Sequence, residues 1–546
     1  MGEAYCLRAY RYFLLCNFWG DVPMALDPTD YDNYTDDSRT KRMDKNIIYS
    51  QMIQDMIDIE ESMMWASDLE YGVERMNREF ALGFITKLAM FRAGYSMQED
   101  GTMDRCRIDN QIEPVTYYDY ASGQELTAQS SDDFYKVAIN YAKKLQAQRD
   151  RELNSDFGEM FRVQATAGNA AGGDMLFEIG FVTNGGGDVG WNIGLSVEGG
   201  SKGSGTTYTY LTPMYACSFD TEDQRYHVTC APYKWIYDGK QNALNAFSIN
   251  PSKWCRFDME IMVNDKGTGI NWPILRYADV LLLWAEAENE LNGPTSAAQE
   301  PLARVRKRAF ANSGNLTEKV TNYISRVSGS KDAFRKAIID ERAWEFGGEC
   351  IRKFDLIRWN YFSDAAANTY EWLYTVGMNA EQLVFEGGEM IYDESKPIED
   401  LNVASRLFYQ FKDGEVVFLN DMQEYTDIDE FPYNAAETIE DKDVESYMTD
   451  EENIYYVDFA KYIFSVSDTN PSTNQKYEDG VKRGTLRSST EGTWYGLTDG
   501  PFTPQSMEEI EALRDKVVPY IIPISATVLT SSQGSLTNSG YAIRNK

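Results

Sequence analysis

The sequence predicts a mainly α protein built from paired helices, with long loop-rich segments and short strands inserted between the pairs. Three observations predict it. Apolar residues recur at helical spacing in separate blocks, the blocks come in neighbouring pairs, and two stretches, 151–272 and 361–518, break the pattern with text rich in Gly, Tyr and Asn. At 546 residues, 43% hydrophobic and 25% charged, the chain carries enough apolar material for a large core and lacks the composition of a disordered one.

Tyr5, Leu7, Ala9, Tyr12, Phe13 and Leu15 open the chain in helical register, and Gly20 with Pro23 ends that helix. No Ser, Thr or Asp cap precedes it, so the sequence is expected to begin partway through a longer natural protein. Residues 47–65 carry Ile48, Met52, Met56, Ile59 and Met63, and 80–95 carry Leu82, Ile85, Leu88, Ala89 and Phe91; these two segments are expected to pair as a hairpin. Ser131, Asp132 and Asp133 suit the cap of a helix over 134–146, with a stripe of Tyr135, Val137, Ala138, Tyr141, Ala142 and Leu145. Residues 277–291 and 301–310 form the next pair, and 331–359 adds one or two more helices. Pairs of this size resemble tetratricopeptide units, although no strict repeat of about 34 residues is visible. Alternation over 176–182 and 226–229 predicts short strands within the first insertion.

The expected organisation is one domain, with 1–150 and 273–360 as helical scaffold, 151–272 and 361–518 as loop-rich insertions, and 519–546 as a closing segment. Loops on a rigid frame are where recognition usually sits, so specificity is expected in the insertions.

Charge and composition exclude several classes. With 52 Lys and Arg against 86 Asp and Glu, the net charge of −34 repels phosphate backbones and anionic headgroups, so nucleic acid is not an expected partner. The stretch 421–458 holds fourteen acids and one base, Lys442, but no D-x-D-x-D-G loop, which reads as solvated surface rather than a calcium site. Seven cysteines without C-x-x-C spacing suggest buried apolar residues rather than a disulfide or zinc framework. No apolar run of about 18 residues could cross a bilayer as a helix.

His227 is the single histidine, which removes paired-histidine metal centres, and its alternating surroundings read as ordinary strand. Gly185 to Gly190 matches G-x-G-x-x-G in spacing, but 191–197 reads as extended where a dinucleotide site needs a helix, so the segment is expected to be a loop. Glu286 and Glu290 share a helix face, as do Glu341, Glu345 and Glu349, and paired carboxylates could serve a glycosidase. Arg276, Arg342, Arg352 and Arg358 lie near in sequence and favour a structural ion-pair network instead. No metal, cofactor or catalytic residue is expected.

Four segments together resemble the SusD/RagB family. The first is the run from Leu7-Arg8-Ala9 to Trp19-Gly20-Asp21-Val22-Pro23. The second is the helix beginning Arg276-Tyr277-Ala278-Asp279 and holding Glu286. The third spans Glu341-Arg342, Glu345-Phe346, Glu349-Cys350, Arg352, Asp355 and Arg358-Trp359, with Cys350 where the family pattern has Gly or another small residue. The fourth is Pro523-Ile524 with Asn538-Ser539-Gly540-Tyr541, where Ile524, Thr537 and Ser539 depart from the pattern.

The resemblance implies a SusD-like helical fold and a non-enzymatic, surface-exposed outer-membrane lipoprotein. It implies a lid over a SusC-like TonB-dependent barrel that binds oligosaccharides, or in some members peptides. It also implies an N-terminal lipid anchor outside this sequence, since Cys6 lies within the first helix. The motif residues Arg276, Asp279, Glu286, Glu341, Arg342, Glu345, Arg352, Asp355 and Arg358 are scaffold, and none brings a binding role with it. Thirty-six Tyr and eleven Trp supply rings for sugar stacking. Those set among Gly, Asn, Thr and Asp in the insertions are the candidate contacts: Trp191, Tyr208, Tyr210, Trp235, Tyr237, Trp254, Trp494 and Tyr495. A glycoside hydrolase and a general tetratricopeptide scaffold are the alternatives from other classes, and neither accounts for all four segments in order.

Overall fold

The computed structural model describes residues 1–105, 112–166, 173–182, 186–199, 203–236, 239–259, 266–380, 383–386, 389–392, 403–424, 453–469, 475–476, 483–487, 506–532 and 534–538. Its frame is helical, as the apolar periodicity predicts. Helix α1 (Gly2–Trp19) buries Cys6, Ala9, Phe13 and Cys16 along one face and stops at Gly20, whose φ of 69° only glycine adopts cheaply. Helix α2 (Lys45–Ile59) starts where Asp44 accepts from the Asn46 amide, and it ends six residues earlier than the apolar pattern suggests, giving way to 3₁₀ turns. Helix α3 (Arg78–Ala93), capped by Asn77, is buried on nearly all sides and lies at the centre of the frame. Helix α4 (Ser131–Arg149) packs along it. Its cap is Ser130, one residue before the predicted Ser131, because Ser130 and Asp133 exchange hydrogen bonds in a capping box.

Helix α5 (Phe157–Thr166) opens the first insertion. Strands β1 (Met175–Ile179) and, at the far end of that insertion, β5 (Trp272–Arg276) pair antiparallel. The second strand runs directly into α6 (Tyr277–Asn292), whose stop is Gly293 at φ 73°. Helices α7 (Ser296–Ala309), α8 (Lys331–Phe346) and the short α9 (Arg352–Arg358) complete the frame. Phe13, Ile48, Phe80, Phe84, Leu88, Tyr141, Leu281, Trp284, Leu302 and Phe334 belong to one continuous core, so α1 to α4 and α6 to α8 bury their apolar faces against each other.

The second insertion is not wholly irregular. It begins with α10 (Phe362–Ala380), a 19-residue helix absent from the sequence prediction, which buries Ala367, Tyr370, Leu373, Tyr374 and Gly377. Those residues have helical spacing, but small and hydroxylated side chains mask it. A three-stranded antiparallel sheet, with Arg406–Lys412 between Glu415–Phe418 and Tyr455–Asp458, packs with α10 into a second core. That core also takes Ala216, Phe219, Tyr226, Ile236, Phe247 and Ile249 from the first insertion, so the two insertions are packed on each other.

Two short predictions fail locally. Residues Arg225–Thr229 form a helical turn rather than a strand, because the Asp223 carboxylate accepts from the Arg225 amide and starts the turn. Residues Val189–Ile193 form a π-type turn where extended chain was expected, with the Asp188 carbonyl accepting from both Trp191 and Asn192; the strand is limited to β2, Val197–Glu198. The closing segment docks on the front of the chain: the Tyr520 hydroxyl accepts from the Met97 amide and Ile522 donates to the Phe18 carbonyl. Among the described residues no helix is long and apolar enough to cross a membrane.

Candidate functional site

The motif residues come together inside the frame as two charge-balanced networks. In the larger, Arg225, Lys253, Arg276, Arg306 and Arg308 meet Asp174, Asp223, Glu341, Glu345 and Glu349, all buried. Arg276 reaches Asp174 at 3.0 Å, Glu345 at 2.7 Å and Glu349 at 2.7 Å. In the smaller, Asp279 is held by Lys87 at 3.0 Å and Arg342 at 2.8 Å. Asp355 is held by Arg342 and Arg358, each at 2.8 Å, and Glu286 by Arg358 and by the Trp359 indole at 2.8 Å. Five charges of each sign in one set and three in the other leave no net charge buried, which the high cost of an unpaired interior ion requires. Arg352 stands beside them, donating to the Ile339 carbonyl with its guanidinium 5.6 Å from the Trp359 ring.

This chemistry is structural. Burial alone would raise the Glu345 carboxyl, but Arg308, Arg276 and Arg225 outweigh it and hold the group well below the usual carboxylate range. Asp279 and Asp355 are lowered in the same way, against burial, by Lys87 with Arg342 and by Arg342 with Arg358. A glycosidase acid needs the opposite shift and a substrate beside it. Glu290 is also engaged, with Lys331 at 3.2 Å and Arg335 at 3.7 Å. No group of three His, Cys, Asp or Glu among the described residues could hold a metal. His227 is solvent-exposed on its helical turn, against the Tyr226 ring.

An exposed aromatic feature lies in the first insertion. Strand β3 (Tyr233–Ile236) pairs parallel with β2, setting Trp235 opposite Val197, and antiparallel with β4 (Lys240–Ala243). Val197 in turn bridges Gly205, and a Cβ on Gly205 would lie 3.2 Å from the Trp191 Cα, so the backbones of Trp235, Val197, Gly205 and Trp191 follow one another across a single layer. Tyr208 is joined to the same layer through its amide, which donates to the Asn192 carbonyl. Tyr208 is 75% exposed and Tyr210 46% exposed, values that burial in a core would not permit, while Trp191 and Trp235 are half-buried.

Polar residues brace the loop from below. The Ser196 hydroxyl donates to Asn250 at 2.6 Å and accepts from the Thr207 amide, while the Thr207 hydroxyl reaches the carbonyls of Asn192 and Ile193. Internal bonds of this kind present rings without a large ordering cost on binding.

The structure sorts the aromatic candidates. Trp191, Tyr208 and Tyr210 lie on or beside this layer. Trp235 is stacked on Phe257, with ring centroids 4.4 Å apart, and Phe257 is a residue the sequence reading missed. Trp254 must be withdrawn as a ligand contact: it is fully buried, donates to Gln164 at 3.0 Å and packs edge-on against Phe161, forming the underside of the platform. Tyr237, Trp494 and Tyr495 fall outside the described residues. Arg256 and Lys266, also missed, sit with their cationic groups 5.9 and 5.2 Å from the Trp191 ring.

Comparison with known proteins fits this architecture. A family model described as "SusD family" matches residues 218–541, more than half of the chain, and one described as "Starch-binding associating with outer membrane" matches residues 1–90. SusD-like protein P25 of Formosa agariphila is 46% identical over 94 residues, 17% of this chain and 16% of that protein. SusD-like protein P2 of the same organism is 24% identical over 366 residues, 65% of this chain and 64% of that one. The chain therefore spans less than two thirds of the length of these curated relatives. The crystal structure of a SusD homolog from Bacteroides thetaiotaomicron shares the fold at 22% identity and a TM-score of 0.55, covering 68% of this chain and 70% of that one. With its motif residues gathered into the buried frame and the family model covering more than half its length, this chain belongs to the SusD family.

Proposed function

We propose that the protein captures oligosaccharides at the outer-membrane surface and passes them, chemically unchanged, to a SusC-like TonB-dependent transporter. The observation that carries the reading is the braced layer in the first insertion, where Trp191, Tyr208 and Tyr210 present aromatic surface to solvent. A ring offers a flat apolar face to a sugar ring, and the surrounding amides and hydroxyls satisfy its hydroxyl groups. The match of residues 1–90 to a family described as starch-binding in association with the outer membrane supports the same ligand class. The neutralised carboxylates of the frame support capture without turnover.

Isothermal titration against a panel of oligosaccharides, followed by Trp191→Ala and Tyr208→Ala, tests the reading. Truncating a ring that anchors a ligand costs about 2 kcal/mol, roughly thirtyfold in affinity. Unchanged affinity in both variants would remove the platform from the binding site, and new reducing ends in the titrated mixture would remove the claim of capture without turnover. Co-purification of the protein with a TonB-dependent barrel from outer membranes tests the hand-over.

A further inference from the structure

Residues 250–256 form a strap beneath the loop that carries the rings and hold it at three points. The Asn250 side chain accepts from the Ser196 hydroxyl at 2.6 Å, the Trp254 carbonyl accepts from the Leu195 amide at 2.9 Å, and the Arg256 Nη1 donates to the Ser204 carbonyl at 2.9 Å. The two backbones are in close contact there, since a Cβ on Gly194 would lie 2.4 Å from the Trp254 carbonyl oxygen. Between these points Lys253 reaches into the frame instead. Its buried ammonium donates to the Glu349 carboxylate at 2.6 Å and to the Glu345 carbonyl at 2.8 Å. That carbonyl lies in the last turn of α8, where the helix has no amide left to satisfy it and a cation is favoured. Phe157 and Phe161 of α5 lie 5.0 and 5.1 Å from the same ammonium, and Phe161 in turn packs on the Trp254 ring.

Resting on the capture reading above, we propose that Lys253 is a positioning residue for glycan capture, tying the loop of Trp191 and Tyr208 to the ion-pair frame, so that the platform keeps its binding shape only while that ammonium is charged. A shift of the strap at Lys253 passes straight to the loop, because Trp254 is the next residue and no space separates it from Gly194. A neutral amine would lose its attraction to Glu349 and leave the larger network with five carboxylates against four cations. The titratable and charged groups facing the ammonium are the Glu345 and Glu349 carboxylates and the Arg276 guanidinium of the frame, with the Cys230 thiol from the insertion. Burial lowers Lys253 from its ordinary 10.5 to about 8, with Arg276 adding to the effect and the two glutamates opposing it. Cys230 stays a thiol through that range, because burial pushes it well above its usual value. Titration of Lys253 does not itself weaken the fold. A lysine lowered in the folded state gives up its proton more readily there than in the unfolded chain, so folding gains stability between about pH 8 and 10.5 as the buried charge disappears. Loss of capture and loss of the fold are therefore separable by pH.

The test compares the wild type with Lys253→Met/Glu349→Gln, which removes one charge of each sign and leaves the network balanced. Hydrogen exchange of the free protein at pH 7 reads the loop without any ligand: peptides covering 189–210 exchange roughly tenfold faster in the double variant, while those of α3 do not change. Isothermal titration then uses whichever of maltohexaose, cellohexaose and xylohexaose binds the wild type most tightly. Between pH 7 and pH 9 wild-type affinity falls about tenfold, since roughly one molecule in ten keeps the ammonium one pH unit above its midpoint. The double variant binds weakly at both pH values, and the wild-type urea midpoint is no lower at pH 9 than at pH 7. Unchanged loop exchange in the double variant overturns the proposal, as does a pH-independent wild-type affinity, an equal fall in the double variant, or a urea midpoint that drops in step with binding. The wild-type pH series needs no variant, so it decides the case even where the double variant unfolds. Failure of all three hexasaccharides to bind the wild type removes the capture reading and the proposal together, whereas binding with unchanged loop exchange removes the Lys253 tie alone.

Discussion

Replacing Glu345 by Gln keeps the shape of the side chain and deletes one of the five carboxylates in the larger network. Glu345 is 0% exposed and contacts three guanidiniums, with Arg276 at 2.7 Å, Arg225 at 3.2 Å and Arg308 closer still. A pair 4 Å apart in partly polarisable surroundings attracts with about 4 kcal/mol, and the attraction here is set against the desolvation of both charges. The deletion leaves five buried cations facing four carboxylates, and breaking such a balance by removing one partner costs about 3 to 5 kcal/mol. For a denaturant slope of roughly 3 to 5 kcal/mol per M, the urea midpoint falls by about 1 M. Far-UV circular dichroism and tryptophan fluorescence, recorded on the same samples, measure it. Glu300→Gln serves as the control, since Glu300 meets Arg304 only at 3.9 Å with half its side chain in solvent, and its cost stays within about 0.5 kcal/mol. A midpoint for Glu345→Gln within about 0.2 M of the wild type would refute the idea that this network holds the frame together.

Acid exposes the same balance. Asp279, Glu345 and Asp355 titrate below their unfolded values, so their stabilisation is complete above about pH 4.5 and is lost as pH falls through the unfolded and then the folded range. Urea midpoints measured from pH 7 to pH 3 should hold level and then drop below about pH 4.5; a flat profile down to pH 3 would contradict the assignment. Cys350 has φ 60°, a left-handed conformation in which a side chain costs about 1 kcal/mol. Cys350→Gly should be neutral or stabilising, and a loss beyond about 1 kcal/mol would show that the thiol, not the backbone, matters there. A Cβ at Gly194 would fall on the Trp254 carbonyl oxygen, which also accepts from the Leu195 amide. Gly194→Ala should therefore displace the Trp191 turn and weaken glycan binding about tenfold with the α-helical signal intact; full affinity would show that the turn's position is immaterial.

How far the fold could be read from sequence depended on whether a residue's environment is local. In α3, α4 and α6 the apolar stripe lies within one helix and appears in the sequence as periodicity, while Asn77 and Ser130 cap α3 and α4, and Gly94 and Gly293 stop α3 and α6. Helix α10 has the same periodicity, but its buried face is Ala367, Tyr370, Tyr374 and Gly377, and a stripe of tyrosines and small residues reads as loop unless the surface covering it is known. That surface includes Phe464, close enough that a Cβ on Gly377 would collide with its ring. The helix is thus specified partly by residues more than eighty positions away.

The same distinction divides the candidate site. Trp191 and Trp254 both lie among polar residues of the first insertion, and both therefore looked like loop rings available to ligand. Gln164, ninety residues upstream, accepts the Trp254 indole proton, and Phe161 and Trp272 close around the ring, so Trp254 becomes the floor of the platform and Trp191 remains part of its surface. The family motifs could not make this separation, because Arg276, Glu286, Glu345 and Arg358 balance charge inside the frame and touch nothing in the platform. A chain that keeps that balance keeps the fold, whatever rings its insertions carry. Substitutions at Trp191 or Tyr208 should therefore alter binding at little cost in stability, whereas Glu345→Gln should lower stability in every family member that shares its three arginine contacts.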